Sequence, residues 1–200
     1  MTQHLLITGA SSGIGEAIAR YAAEKHLNVT AIARRSSRLA RLRDTYPNIH
    51  PETADIADKK QVAKAIARAI KVHGPVDCAI LNAGIYQPVD ATDINSDVFH
   101  AHMNVNYSGI VYCLESLVPA MVERGSGHIA LMGSTAGYRG LPRSAAYGPT
   151  KAAVQNLAEC LYFDLNPHHI KVQIINPGFI ETEATAVNDF EMPDIITAEV

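Results

Sequence analysis

Tyr147 and Lys151 stand four residues apart in a stretch that reads SAAYGPTKAA. A helix rises about 6 Å over four residues and brings both side chains to one face. An ammonium group beside a phenol stabilises the phenolate, so the spacing predicts a Tyr147 pKa below its ordinary value of about 10. Such a phenol can donate or accept a proton near neutral pH. The alternative is an exposed pair without a chemical role, and the pair alone does not decide between the two.

A glycine-rich turn near the start of the chain is the second feature with chemical meaning. Residues 5–8 are a short apolar run typical of a buried strand, and a helical pattern follows the turn. We expect Gly9 to permit a tight turn, Gly13 to let backbone N–H groups approach a pyrophosphate, and Gly15 to let helix and strand pack closely. This setting favours a dinucleotide site over a purely structural turn. The candidate cofactor contacts here are Gly9, Ser11, Ser12, Gly13, Ile14 and Gly15.

The end of the second predicted strand indicates which dinucleotide binds. Residues 28–33 are an apolar run, and they end about 20 residues after the turn, where an acid would bind the ribose 2′-hydroxyl of NAD(H). Instead of an acid, Arg34 and Arg35 follow. Two guanidinium groups suit a 2′-phosphate, so the predicted cofactor is NADP(H). The alternative is a solvated basic start to the next helix.

Predicted strands and helices alternate along the chain. The strands are predicted at residues 5–8, 28–33, 49–54, 77–81, 128–133 and 171–176, and the helices include residues 59–72, 96–124 and 147–165. Because the strands are continuous apolar runs, the pattern predicts an α/β fold with a doubly wound parallel sheet and helices on both faces. The 200 residues are enough for a single domain, 1–200, with one substantial core.

Composition and charge argue against several classes of function. The net charge is −3 and the pI about 6.3, so neither nucleic acid nor an anionic membrane surface is the expected partner. We expect no signal peptide and no apolar run long enough to span a bilayer. Cys78, Cys113 and Cys160 lie in apolar surroundings without paired spacing, which predicts reduced core residues in a cytoplasmic protein. The nine histidines show no metal-binding pattern, so no metal is predicted.

Polar and glycine-containing segments follow several predicted strands. They are the glycine turn, Asn82-Ala83-Gly84, Ser134 and Pro177-Gly178. Ligands of parallel sheets bind outside the carboxyl ends of the strands, so we expect these segments to line one groove. There Ser134 could donate a hydrogen bond to a substrate oxygen and Tyr147 could pass it a proton, while a nicotinamide passes hydride to the carbon. Lys151 could bond the nicotinamide ribose, and the predicted reaction interconverts a carbonyl and an alcohol.

The whole motif set resembles that of the short-chain dehydrogenase/reductase family. In order, the motifs are Thr8-Gly9-x3-Gly13-x-Gly15, Asn82-Ala83-Gly84, Asn106, Ser134, Tyr147-x3-Lys151 and Pro177-Gly178. The resemblance covers nearly the whole chain and implies a Rossmann-type fold, with Ser134, Tyr147 and Lys151 as catalytic residues. It implies that Asn106 holds a water molecule in a proton relay from Lys151. It also implies a homodimer or homotetramer.

The resemblance assigns further cofactor contacts. It implies that Asn82 and Gly84 line the adenosine side of the groove, and that Asp55 and Ile56 lie at the adenine. Arg34 matches the position that marks NADP-preferring members. Positions around the nicotinamide carboxamide are matched by Gly178, Ile180 and Thr182. The remaining candidate contacts are Arg35, Ala83, Pro177 and the two catalytic residues Tyr147 and Lys151.

The sequence departs from the family pattern after the sixth strand. Residues 183–200 supply only the start of the usual helix pair and seventh strand, so we expect either a truncated chain or a short member with the sixth strand at the sheet edge. Two other functions stay open. One is a catalytically silent NADP(H)-binding regulatory protein, which a degraded Ser-Tyr-Lys set would mark. The other is a 3-oxoacyl reductase, which would need a basic surface for an acidic carrier protein.

Overall fold

Six parallel strands form the central sheet of the protein. The computed structural model describes residues 3–188 and 191–198. The strands are β1 (His4–Thr8), β2 (Asn28–Ala33), β3 (Ile49–Thr53), β4 (Cys78–Leu81), β5 (Gly127–Met132) and β6 (Ile170–Ile175). They lie in the order β3-β2-β1-β4-β5-β6, and each neighbouring pair is parallel. Because the chain leaves β1 in one direction and resumes on its other side at β4, a crevice opens between these two strands at their carboxyl ends.

Helices make the connections between the strands. They are α1 (Gly13–Glu24), α2 (Ser36–Thr45), α3 (Lys59–His73), α4 (Ser96–Met103), α5 (Gly109–Arg124) and α6 (Gly148–Leu165). A π-helical turn, Asn104–Ser108, joins α4 to α5, so the predicted helix over 96–124 is one segment with a wider turn inside it. Pro149 occupies the first turn of α6, where its missing N–H group leaves no helical hydrogen bond unmade.

Both faces of the sheet are buried. On β1, Leu5 and Ile7 pack into one cluster and Leu6 into the other. Helices α1 and α2 cover the first face, where Ala19 and Leu39 are fully buried, and α3, α5 and α6 cover the second. Coverage on both sides is the reason why the inner strands are largely apolar, whereas the edge strands β3 and β6 are only partly buried and carry polar residues. The predicted doubly wound α/β fold is confirmed.

The chain after β6 crosses the carboxyl ends of the strands. In the described ranges β6 is the edge of the main sheet, as the sequence predicted. A short strand β7 (Ile180–Glu181) then pairs in parallel with β8 (Ile196–Thr197) in a separate two-stranded sheet. Residues that follow β7 reach the groove at the rim of the main sheet, and they contribute to the site described below.

The helical segment Ser96–Arg124 differs from one sequence expectation. By length and composition alone it could cross a membrane, whereas the sequence was expected to hold no such run. In the structure Leu114, Leu117 and Met121 pack into the core beneath the sheet, and His102 is also buried. Packing against the sheet therefore accounts for the apolar residues on the buried face of this segment.

Candidate active site

A groove of about 850 Å³ runs along the carboxyl ends of the strands. Most of the predicted site residues line it: Gly9, Ser11, Ser12, Gly13, Ile14, Arg34, Arg35, Asp55, Ile56, Asn82, Ala83, Gly84, Ser134, Tyr147, Lys151, Pro177, Gly178, Ile180 and Thr182. Two further predicted residues, Gly15 and Asn106, lie behind its walls and support them. The fold therefore collects residues that span 174 positions of the sequence, from Gly9 to Thr182 inclusive, at one cleft.

The glycine turn forms the part of the groove next to β1. Gly9 has a φ of 72°, and a Cβ atom there would lie 2.8 Å from the Cα of Ala83. A Cβ on Gly15 would lie 2.5 Å from the Gly9 carbonyl oxygen, so only glycine lets α1 pack this closely against the turn. The Ser12 side chain makes no capping hydrogen bond at the start of α1. The first N–H groups of that helix can therefore bind an anion such as a pyrophosphate.

Arg34 and Arg35 follow β2 at one end of the groove. Arg35 donates from Nε to Ser11 Oγ at 3.0 Å and from Nη2 to Ser12 Oγ. The exposed Arg34 guanidinium lies 3.9 Å from a carboxylate oxygen of Asp55. Two guanidinium groups thus lie where the adenosine ribose of a bound dinucleotide would be. Together with the uncapped helix start, they fit the phosphate groups of a nicotinamide dinucleotide.

Ser134, Tyr147 and Lys151 meet at the other side of the groove. Ser134 follows β5, and its side chain hydrogen bonds to Tyr147, which directly precedes α6. Lys151 lies in the first turn of α6 and is only 3% exposed. Its Nζ lies 5.6 Å from the centre of the Tyr147 ring and donates to the Met132 carbonyl oxygen at 2.7 Å. The structure brings the three predicted catalytic side chains together.

The predicted lowering of the Tyr147 pKa by Lys151 is wrong for this structure. Burial raises the pKa of Tyr147, and the hydrogen bond to Ser134 opposes this increase without overcoming it. Burial also lowers the pKa of Lys151 to about 8. Desolvation dominates because both groups lie inside the protein and the ammonium hydrogen bonds to the Met132 carbonyl. Tyr147 is therefore protonated at neutral pH and able to donate its proton.

Asn106 occupies the π-helical turn and is fully buried. Its side chain accepts from the Ile85 N–H group at 2.8 Å and donates to the Ile85 carbonyl at 3.0 Å. It also donates to Thr150 Oγ1 at 3.1 Å, which links the groove wall to α6. A Cβ on Gly84 would lie 3.3 Å from Asn106 Oδ1 and 3.8 Å from Lys151 Nζ. Asn106 therefore fixes the backbone beside Lys151, and its water-holding role stays a prediction.

Two polar residues at strand ends hold the walls of the groove together. Thr8 Oγ1 accepts hydrogen bonds from the N–H groups of Asn82 and Ala83, both at 3.0 Å, and so joins the ends of β1 and β4. Asn176 Oδ1 accepts from the Ser134 N–H group at 3.0 Å. These roles were not predicted. Their position at the carboxyl ends of apolar strands is the signal that sequence reasoning had available.

Side chains distant in sequence also shape the site and were missed. The Tyr86 ring meets the Tyr147 ring edge to face, with centroids 5.2 Å apart, and the Tyr86 hydroxyl donates to Asn188 Oδ1 at 3.0 Å. Glu183, which follows β7, forms an ion pair with Arg35. No spacing in the sequence indicates these contacts, because the loops that carry them meet only through the fold.

Comparison with known proteins agrees with this architecture. Residues 3–191 match the family model of the short chain dehydrogenases. An uncharacterized oxidoreductase of Myxococcus xanthus is 33% identical over 192 residues, which cover 94% of this chain and 76% of that protein. Another relative is matched over only 57% of its length. The chain belongs to the short-chain dehydrogenase family, as its motifs indicated.

Solved structures with bound dinucleotides resemble this fold closely. ElxO with NADP bound is 27% identical with a TM-score of 0.91, and the match covers 100% of this chain and 88% of that one. A 3-ketoacyl-(acyl-carrier-protein) reductase from Brucella melitensis complexed with NADH is 27% identical with a TM-score of 0.93, covering 98% and 86%. The Rossmann-type fold of the family is thus confirmed, and both of these relatives hold a nicotinamide dinucleotide.

Proposed function

We propose that this member of an oxidoreductase family is an NADP(H)-dependent enzyme that interconverts a carbonyl and an alcohol. One observation carries the proposal: the Ser134, Tyr147 and Lys151 side chains meet in a groove whose other end has the glycine turn and two arginines. A proton donor and an anion-binding dinucleotide cradle in one cleft suit hydride chemistry on a polar double bond.

Each side chain has a distinct part in the proposed reduction. When bound, the nicotinamide supplies the hydride that reaches the carbonyl carbon. Ser134 donates a hydrogen bond to the carbonyl oxygen and holds it beside Tyr147. The Tyr147 hydroxyl gives its proton to that oxygen as the C=O double bond becomes a C–O single bond, and in the reverse direction the phenolate takes the proton back. Lys151 stabilises the phenolate that forms and offers a donor to the cofactor ribose.

The preference for NADP(H) rests on charge at the end of β2. Arg34 and Arg35 directly follow β2, at the sequence position where an acid would bind the ribose of NAD(H), and Arg35 is held toward the groove by Ser11. A ribose 2′-phosphate gains charge-assisted hydrogen bonds from such a pair, whereas a 2′-hydroxyl gains little. ElxO, a structural relative, has NADP bound, which supports the proposal, while the Brucella reductase was complexed with NADH.

Turnover of both cofactors with a panel of aldehydes, ketones and a 3-oxoacyl thioester tests this function. Oxidation of either cofactor is followed by the loss of absorbance at about 340 nm, a general property of reduced nicotinamides. We expect the catalytic efficiency, kcat/KM, with NADPH to be at least about tenfold higher than with NADH. Arg34→Ala should reduce the NADPH efficiency about tenfold and leave the NADH efficiency nearly unchanged. Arg41→Ala, on the exposed face of α2, is the matched control. Equal use of both cofactors by the wild type would contradict the NADP preference.

The same panel separates the two alternative functions. The Brucella 3-ketoacyl reductase, with its TM-score of 0.93, favours the 3-oxoacyl thioester as one candidate substrate. Preferential turnover of that thioester would support a 3-oxoacyl reductase. NADPH binding without consumption by any carbonyl would support a silent regulatory protein instead. The cytoplasmic location stays a prediction, as does a homo-oligomer, which the exposed Tyr162 and Phe163 on α6 support.

A further inference from the structure

The segment that follows β7 lies across the rim of the cofactor groove. Thr182 sits against the glycine turn, because a Cβ on Gly13 would lie 3.0 Å from Thr182 Cγ2. Within the segment, Thr185 Oγ1 donates to the Ile180 carbonyl at 2.6 Å and accepts from the Thr182 N–H group at 3.0 Å. These bonds make a compact turn that presents Glu183 to the opposite wall.

Glu183 bridges two arginines of that wall. One carboxylate oxygen lies 2.7 Å from Arg35 Nη1 and the other 2.5 Å from Arg38 Nη1. The hydrogen bond to Arg35, and then that to Arg38, lowers the pKa of the Glu183 carboxyl, so the group is charged at neutral pH. Arg35 is also the residue that hydrogen bonds to Ser11 beside the glycine turn. An internal carboxylate therefore holds the guanidinium proposed to bind the cofactor phosphate.

We propose that Glu183 is a cofactor-specificity residue, an internal anion that the 2′-phosphate of NADP(H) must displace from Arg35 and Arg38. This inference rests on the proposed NADP(H) preference. A 2′-phosphate can replace the carboxylate because it brings more charge and more acceptor oxygens to the same guanidinium groups. NAD(H) has no anion at that position, so Glu183 stays in place and the segment 180–188 stays on the rim.

The exposure of the ion pairs makes this exchange possible. The side chains of Arg35 and Glu183 are 42% and 55% exposed. Ion pairs at such positions are weak because water and salt screen them. Glu183 therefore discriminates between the two cofactors without blocking the site. It raises the concentration of a 2′-phosphate ligand that is needed to occupy the site. When the ligand displaces Glu183, the segment 180–188 loses its contact with the wall. Arg34, which contacts Asp55 rather than Glu183, is placed to receive the phosphate first.

Binding of two cofactor fragments tests the inference without turnover. Isothermal titration calorimetry would give dissociation constants for 2′,5′-ADP, which carries the 2′-phosphate, and for 5′-AMP, which lacks it. Glu183→Gln should lower the dissociation constant of 2′,5′-ADP about three- to tenfold, the size of effect that two exposed ion pairs can produce. The dissociation constant of 5′-AMP should change by less than about twofold. Glu181→Gln removes the same charge from the same segment at an exposed position and should change neither constant.

The outcomes distinguish this inference from the cofactor proposal. If Glu183→Gln and Glu181→Gln bind 2′,5′-ADP equally more tightly than the wild type, or if Glu183→Gln binds it no more tightly, the proposed role of Glu183 is overturned. A wild type that binds 2′,5′-ADP no better than 5′-AMP would contradict the NADP(H) preference itself. Hydrogen exchange gives a second readout: 2′,5′-ADP should raise amide exchange in 180–188 of the wild type, and 5′-AMP should not. Unchanged exchange with bound 2′,5′-ADP would contradict the displacement.

Discussion

Tyr147 and Lys151 lie side by side within the protein, and burial moves their pKa values in opposite directions. The motif in the sequence was enough to predict that the two side chains would meet Ser134. The direction of the Tyr147 shift was not predictable, because it depends on how much water the fold removes from the phenol and on the bond of Lys151 to Met132. The spacing of two residues in the sequence predicts that their side chains are close, whereas the pKa of a side chain depends on all of its surroundings in the folded protein.

Three histidines lie together at the end of the sheet away from the groove, where His4 is buried and His50 and His73 are half-buried. The His73 ring lies 3.9 Å from that of His50 and 5.2 Å from that of His4, measured between centroids. His73 Nε2 is buried and has no hydrogen-bond partner, and burial lowers the pKa of His73 to about 4 from its ordinary 6.5. The folded protein therefore binds a proton at His73 less readily than the unfolded chain does.

This difference predicts a pH-dependent stability. Since the folded-state pKa of His73 is the lower one, the unfolded chain binds more protons as pH falls from 6.5 toward 4, and the free energy of unfolding decreases there. When the pH falls from 7 to 5, the free energy of unfolding, measured by urea denaturation, should decrease in the wild type. We expect this decrease to be about 1 kcal/mol smaller in His73→Phe. The exposed-site variant His100→Phe should follow the wild type. Equal losses in all three proteins would contradict a role for His73.

At the scale of elements, the π-helical turn Asn104–Ser108 is the feature that most affects the site. The extra residue in this turn lets Asn106 point inward, while Asn104 in the same turn is exposed. The sequence predicted the long helix and marked an asparagine in its middle as unusual. It did not predict the π turn, because the wider turn depends on bonds to Ile85 and Thr150 from other elements.

The two asparagines of this turn give a matched test. Asn106→Ala would leave the partly buried N–H and C=O groups of Ile85 without their side-chain partner, and each such group costs about 1–3 kcal/mol. We therefore expect a decrease of about 2–4 kcal/mol in the free energy of unfolding, measured by denaturant titration. Asn104→Ala should change it by no more than about 0.5 kcal/mol. A decrease of similar size in both variants would show that the bonds of Asn106 are not the reason.

At the scale of the whole molecule, the alternation of apolar strands and helices was sufficient to predict a parallel sheet with a ligand groove at its carboxyl rim. The order of the strands was not deduced, because it depends on which strands pair and not on local pattern. The path of the chain after β6 was also missed. Glu183 lies 148 residues after Arg35 in sequence and contacts it only because β7 and β8 return the segment to the rim.

We propose that the Tyr147 hydroxyl transfers the proton while a nicotinamide bound in the groove transfers the hydride. Tyr147→Phe removes only that hydroxyl, so NADPH affinity and turnover of a carbonyl substrate, measured on the same protein, separate a loss of proton transfer from a loss of cofactor binding. We expect kcat to fall about 10²- to 10⁴-fold while the NADPH dissociation constant changes less than about threefold, and the exposed-site variant Tyr21→Phe to match the wild type. Turnover by Tyr147→Phe at the wild-type rate, with NADPH bound, would contradict the claim.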